Sequence, residues 1–167
     1  RFHLEVPADT YGAALPVLSR LRAINAELVK ISVNTYVTTK ISYANMLAEI
    51  CDRIPGADVD VVTGAVGADS RIGAKYLRGA IGYGGPCFPR DNVAFASLAR
   101  TIGARAELAE ATDIVNRHQV DRVLAAIQAH KKHPGPIGIL GLSYKPDTGV
   151  VEQSQGVALA GRLIADG

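Results

Sequence analysis

The sequence predicts a mainly α-helical domain flanked at each end by a partial α/β unit. Three observations predict it. Residues 26–51 and 104–132 are long runs with no glycine or proline, and chains of that length free of breakers favour continuous helix. At both ends of the chain a short strand-like pattern is followed by a helix-like one. The composition, with 167 residues and 48% hydrophobic content, fits one compact core with pieces of others attached.

In order, Arg1–Val6 alternates as a strand does, Pro7–Thr10 punctuates it, and a helix is expected from about Thr10 to Ala23. A strand and helix at the very start are expected to be the tail of a unit that begins upstream. Residues 26–51 follow. Ile31, Val33, Val37 and the threonines 35, 38 and 39 carry strand propensity, yet the length and the Ala44–Ile50 half favour helix throughout. At about 100° per residue, Lys30, Asn34, Ile41 and Asn45 fall on one stripe. That stripe is either a wet face or a set of polar groups aimed at a site. A helix with apolar residues on several sides also needs covering on several sides, by neighbours or by a second subunit. Cys51, at its end, reads as core.

Ile54-Pro55-Gly56 breaks the chain, and a short helix is expected over 57–65 with Asp58 near its start. The stretch 64–73 is glycine-rich and carries Arg71, a surface residue or a contact to phosphate or to a partner subunit. A helix from near Phe88 to Ile102, stopped by Gly103, should bury Val93, Phe95, Ala96, Ala99 and Ile102. Over 104–132, Leu108, Ala111, Ile114, Val115, Val123, Leu124 and Ile127 are apolar, with Arg117, Asp121 and Arg122 on the wet side. A linker at 133–136 leads to Ile137–Leu142, a buried-strand pattern, then a polar loop and a helix over about 154–166. Strand, loop and helix make the first half of a nucleotide-binding βαβ unit. Gly138 and Gly141 do not complete the dinucleotide fingerprint.

The chemistry concentrates in Gly82-Tyr-Gly-Gly-Pro-Cys-Phe-Pro-Arg-Asp91. Its glycines and Pro86 cannot propagate a helix, whereas Pro89 suits a first helical turn. Cys87 therefore stands at a helix start, where free amides and the dipole favour a thiolate. Asp91 lies one turn on, within reach of the sulfur or of a water beside it. Cys87 is either a nucleophile or a buried cysteine in an ordinary tight turn.

The 18 Lys and Arg against 16 Asp and Glu give a net charge of +2. They are scattered, so no nucleic acid is expected as a partner. No apolar segment approaches the roughly 20 residues needed to cross a bilayer, and Arg1 opens no signal-peptide pattern. A cytoplasmic protein without a membrane partner is expected. Cys51 and Cys87 match no zinc spacing, and His130 and His133 have no carboxylate or thiol beside them, so no metal is expected.

Taken together, the runs 26–34, Lys40–Asn45, Gly56–Val59, Asp69–Gly73, Gly82–Asp91 and Gly141–Thr148 resemble, in order and spacing, the UDP-glucose/GDP-mannose dehydrogenase family. The resemblance implies residues 1–24 as the tail of an NAD-binding domain. It implies 25–133 as a central helical dimerisation and catalytic domain, like the C-terminal domain of 6-phosphogluconate dehydrogenase. Residues 137–167 would open a UDP-binding domain, both flanks being Rossmann-type units. Cys-Phe-Pro-Arg-Asp is similar to the UDP-glucose branch, which implies UDP-glucose as substrate; another UDP- or GDP-sugar such as GDP-mannose is the alternative.

The implied reaction oxidises the sugar's C6 alcohol to a carboxylate with two NAD, through a thiohemiacetal and a thioester on Cys87. The resemblance further implies Lys30 and Asn34 as oxyanion partners and Asp91 as proton handler or water positioner. Tyr76, Leu77, Tyr83, Gly84 and Phe88 would line the sugar pocket. Arg71 would reach substrate in the partner subunit and Lys145 would approach from the third domain. A homodimer through the 26–51 helix and a place in polysaccharide biosynthesis are implied as well.

The family's NAD fingerprint and glutamate loop would lie upstream of Arg1, so this piece alone is expected to be inactive, a dimerisation module. After Thr148 the family's acidic residue and Arg before Glu-Ser-Pro are replaced by Val150, Val151, Glu152, Gln153, Ser154 and Gln155, and Arg90 stands for a usual Lys.

Overall fold

The computed structural model describes residues 19–133 and 135–166. The expected strand at 1–6 and most of the helix over 10–23 lie outside them. Five helices make up the described chain: α1 (Ala23–Asp52), α2 (Val59–Ala68), α3 (Phe88–Thr101), α4 (Glu107–His130) and α5 (Gln155–Ala165). The protein is mainly α, as the breaker-free runs predict.

Helix α1 is continuous through the threonine-rich half that left strand open. Thr35 Oγ1 donates to Ile31 O at 2.9 Å, and Thr38 and Thr39 donate to Thr35 O at 2.8 and 2.9 Å. Each hydroxyl is satisfied on the helix's own carbonyls, so burying these residues leaves no orphaned donor. The helix ends at Asp52, just before Ile54-Pro55-Gly56. Asp58 caps α2 by accepting from the amides of Asp60 and Val61 at 2.8 and 3.4 Å, and Ser154 caps α5 by accepting from Val157 N. Helix α4 begins three residues later than expected, at Glu107, where Glu107 and Glu110 complement the positive helix end.

Helix α1 packs against α2, α3 and α4; α3 packs on α4, and α4 on α5. The faces in contact are built of small and polar residues. Ala44, Ala48, Ala96, Ala99 and Ala109 are buried beside Thr38, Ser42, Asn45, Asn92, Thr112, Asn116 and Gln119. Small side chains let backbones approach, and the amides and hydroxyls bond across the gap: Asn92 Nδ2 donates to Ala109 O at 2.7 Å and Ser42 Oγ to Thr112 O at 3.1 Å. A more ordinary apolar cluster of Val120, Leu124 and Leu159, with Val123, Ile127, Ile139 and Leu163 around it, joins α5 to α4. Cys51 is buried, as expected.

Three expectations differ from the structure. Val93 on α3 and Ile102 just past its end are exposed while Ala96 and Ala99 are buried, because the inward face is set by Asp91 and Asn92. On α4, Leu108 and Ile114 are exposed and the stripe through Ala109, Thr112, Asn116, Gln119, Val120 and Leu124 faces inward. Residues 137–142 form no strand, and Leu140 is fully exposed. A strand needs a neighbour for its amides and carbonyls, and among the described residues no second extended segment pairs with this one.

Candidate active site

Cys87 is the N-cap residue of α3, with Pro89 in the first turn. It is exposed, which excludes the reading of a buried cysteine in a tight turn. Asp91, one turn on, donates its amide to Cys87 O at 2.8 Å, and the side chain of Asp91 points into the interface with α1, 4% exposed.

There the stripe on α1 meets it. Lys30 Nζ and Asn34 Nδ2 both donate to Asp91 Oδ2, the latter at 2.6 Å. Arg90 Nε lies 3.4 Å from the other oxygen, Oδ1. Burial pushes the Asp91 carboxyl up; the hydrogen bonds from Lys30 and Asn34, the Lys30 charge and Arg90 outweigh it and hold the group below its ordinary value. Asp91 is thus a carboxylate at neutral pH. One cation and one amide, four residues apart on one helix, converge on a single negative oxygen, which is the arrangement an oxyanion needs.

Further along the same stripe, Asn45 is fully buried and holds the loop before Cys87. Its Oδ1 accepts from Ala80 N at 2.8 Å and its Nδ2 reaches Ile81 O at 3.5 Å. Lys40 Nζ donates to Ile72 O and Gly73 O at 3.0 and 2.9 Å, pinning the loop that carries Arg71. Arg71 itself is exposed and bonded to Asp69 of the same loop, which holds the Asp69 carboxyl below its ordinary value.

The remaining expected pocket residues divide. Tyr76 is 55% exposed and adopts φ +61, an uncommon conformation for a bulky residue. Phe88 is half-buried. Leu77 and Tyr83 are each 5% exposed, their side chains turned into the packing beneath the loop. The Tyr83 ring meets Phe88 edge-on, with centroids 6.3 Å apart. Burial, then the charge of Asp113, pushes the Tyr83 phenol far above its ordinary value against the pull of Arg117. Gly84 is covered by main chain: a Cβ there would lie 2.2 Å from Gln153 O. Lys145 is exposed, with its Nζ 5.5 Å from the centre of the Tyr144 ring.

Residues without a role in the sequence reading complete the loop's support. Asn116 on α4 bonds both main-chain groups of Tyr83, and Gln155 at the start of α5 reaches the same carbonyl. The sequence pattern pointed to Leu108, Ala111 and Ile114 as the inward face, so Asn116, on the buried stripe through Ala109, Thr112 and Gln119, gave no signal. Among the described residues no group of three or more His, Cys, Asp or Glu gathers as a metal site requires, and no helix is long and apolar enough to cross a membrane.

The family model for the UDP-glucose/GDP-mannose dehydrogenase family, central domain, matches residues 24–118. UDP-glucose 6-dehydrogenase TuaD of Bacillus subtilis is 41% identical over 134 residues, covering 78% of this chain and 28% of that protein. UDP-glucose 6-dehydrogenase AglM of Haloferax volcanii is 35% identical over 156 residues, covering 93% of this chain and 36% of that protein. Among solved structures, a UDP-glucose dehydrogenase from the archaeon Pyrobaculum islandicum superimposes with a TM-score of 0.79 at 34% identity, over 84% of this chain and 33% of that one. The chain spans about a third of the length of these relatives. With the match covering more than half of its residues, the chain belongs to the UDP-glucose/GDP-mannose dehydrogenase family.

Proposed function

We propose that this chain is the catalytic centre and dimerisation core of an NAD-dependent dehydrogenase that oxidises the C6 alcohol of UDP-glucose to the carboxylate of UDP-glucuronate. The observation that carries the reading is the convergence of Lys30 and Asn34 on one carboxylate oxygen in the first turn of the helix that Cys87 opens. The names of the relatives favour UDP-glucose over a GDP-sugar.

Oxidation of the C6 alcohol to the aldehyde would remove a hydride, for which NAD would be the acceptor, and a proton. The Cys87 sulfur then adds to that carbon; a C–S bond forms and the carbonyl oxygen takes the charge, which Lys30 and Asn34 are suited to hold. Removal of a second hydride, for which NAD would again be the acceptor, would leave a thioester on Cys87. Water attacks the thioester carbon, the C–S bond breaks, and the acid departs. Asp91, kept ionised by its neighbours, orients that water or takes its proton.

NAD supplies the two-electron oxidant. Among the described residues there is no strand leading through a glycine-rich turn into a helix that would cradle a dinucleotide pyrophosphate. In this reading residues 1–24, 25–133 and 137–167 divide as tail of the NAD domain, central domain and start of the UDP domain. Lys145 and Arg71 approach substrate from the third segment and from a second subunit. The product would serve polysaccharide assembly in the cytoplasm.

The outward side of α1 supports a homodimer. Leu28, Val29, Val33 and Tyr36, with Leu21 just before the helix, are 46–64% exposed and line, with Val37, an open apolar groove of about 660 Å³. A surface of that kind is suited to a second copy. The test of the catalytic reading is NADH formation by the full-length protein with UDP-glucose and with GDP-mannose. Cys87→Ala should reduce acid formation from UDP-glucose to background; unchanged oxidation would sink the covalent mechanism.

A further inference from the structure

We propose that Asn116 is a positioning residue for Cys87, acting through the main chain of Tyr83, with Gln155 as its second hand from the C-terminal segment. The inference rests on Cys87 being the reacting group. It starts from an accounting of hydrogen bonds. Residues 79–86 form neither helix nor strand, yet Tyr83, Gly84 and Gly85 are buried. Buried amides and carbonyls with no partner in regular structure must find one elsewhere.

Asn116, 6% exposed on α4, supplies it. Its Oδ1 accepts from Tyr83 N at 2.7 Å and its Nδ2 donates to Tyr83 O at 3.0 Å. One rigid side-chain amide thus reproduces the two-bond exchange of a paired strand. Gln155 Nε2 adds a third bond, to the same Tyr83 O, at 3.2 Å. The approach is so close that a Cβ at Gly82 would sit 2.3 Å from Asn116 Oδ1.

From this fixed point the path to the sulfur is short and stiff. Gly85 N donates to Glu152 O at 3.0 Å, Pro86 restricts its own φ, and Cys87 enters α3. The Phe88 ring returns to pack on Tyr83. No part of Asn116 need touch substrate. Its effect is registration of the sulfur against Lys30 and Asn34, and a misplacement of about 1 Å can cost a reaction about 10²-fold.

The experiment uses the full-length protein with Cys87 tagged by a trifluoromethyl ketone, read by fluorine NMR. Untagged protein is used for kinetics, and labelling of the buried Cys51 reports loss of the fold. The wild type should give one narrow resonance. Asn116→Ala should split that resonance or broaden it at least twofold while Cys51 stays protected. Its kcat should fall at least tenfold, with KM within threefold.

A single unchanged line with Cys51 protected would overturn the proposal. If Asn116→Ala exposes Cys51, Gln155→Leu decides in its place: broadening upholds the proposal, and an unchanged line or an exposed Cys51 overturns it. A wild type that does not oxidise UDP-glucose would sink the proposed function alone, because the resonance still reports whether the amide holds the cysteine.

Discussion

The two sides of α1 reverse the usual arrangement of a helix in a globular protein. Its inward side is small and largely polar: Thr35, Thr38, Ser42 and Asn45 are buried with Ala44 and Ala48, and Lys30 and Asn34 continue that side toward Asp91. Its outward side carries Val29, Val33, Tyr36, Tyr43 and Met46, all at least 41% exposed. The difference teaches that the two sides answer to different demands. The inward one holds loops and a carboxylate by hydrogen bonds, and the outward one offers the apolar area that a partner can remove from water.

Breaking the inward side should have the larger effect on stability. Asn45→Leu removes the partners of Ala80 N and Ile81 O within a closed interface. At about 1–3 kcal/mol for each buried group left unsatisfied, a loss of about 2–4 kcal/mol is expected in urea unfolding. A loss below about 0.5 kcal/mol would mean that the loop is held by something else.

A smaller effect is expected from Asp91, and its sign follows from its lowered titration. The folded protein binds this proton less readily than the unfolded chain, so acid favours unfolding. The stability it contributes is present in full above the unfolded-chain value of about 3.9 and is lost as pH falls through the folded value. Asp91→Asn should cost on the order of 1 kcal/mol near neutrality, a figure discounted because Lys30 is half exposed to solvent. The gap between wild type and variant should close on acidification; parallel stability curves from about pH 6 to pH 3 would contradict the assignment.

The outward side sharpens the contrast from the other direction. Val33→Glu replaces a side chain 55% exposed, so the unfolding free energy of the isolated subunit should move by less than about 0.5 kcal/mol. Sedimentation should nonetheless show that it breaks the proposed dimer. A stable monomer in the wild type would remove the reason for that apolar face, and a variant that stays dimeric would place the interface elsewhere.

What was legible in the sequence was local. The breaker-free runs marked α1 and α4, Asp58 and Ser154 marked helix starts, and simple angular spacing put Lys30, Asn34 and Asn45 on one line. Proline and glycine around Cys87 were enough to place it at a helix start. What was hidden depended on partners far along the chain. Asn116 and Gln155 act on the main chain of Tyr83, which has no residue-type signature, so nothing in the sequence joined positions 33 and 72 residues apart. Tyr83 entered the pocket only through the resemblance, and its ring packs edge-on against Phe88 beneath the loop. The pattern at 137–142 carries strand character but no neighbour within the described residues to express it.

The cover over Gly84 is supplied by the segment that departs from the family's usual pattern after Thr148. That segment folds on itself, Tyr144 N donating to Val150 O and Ser154 N to Val151 O at 3.0 and 3.1 Å, and meets the cysteine loop where Gly85 N donates to Glu152 O at 3.0 Å and where the Gln155 side chain donates to Tyr83 O. Gln153 meets Gly84 through its carbonyl. Carbonyl oxygens are common to every residue type, so side chains at 150–152 can vary without removing these contacts, whereas Gln153 holds φ +51, which favours few residue types. The glycine beneath has no such freedom, and mutational tolerance should divide sharply along that one line of contact.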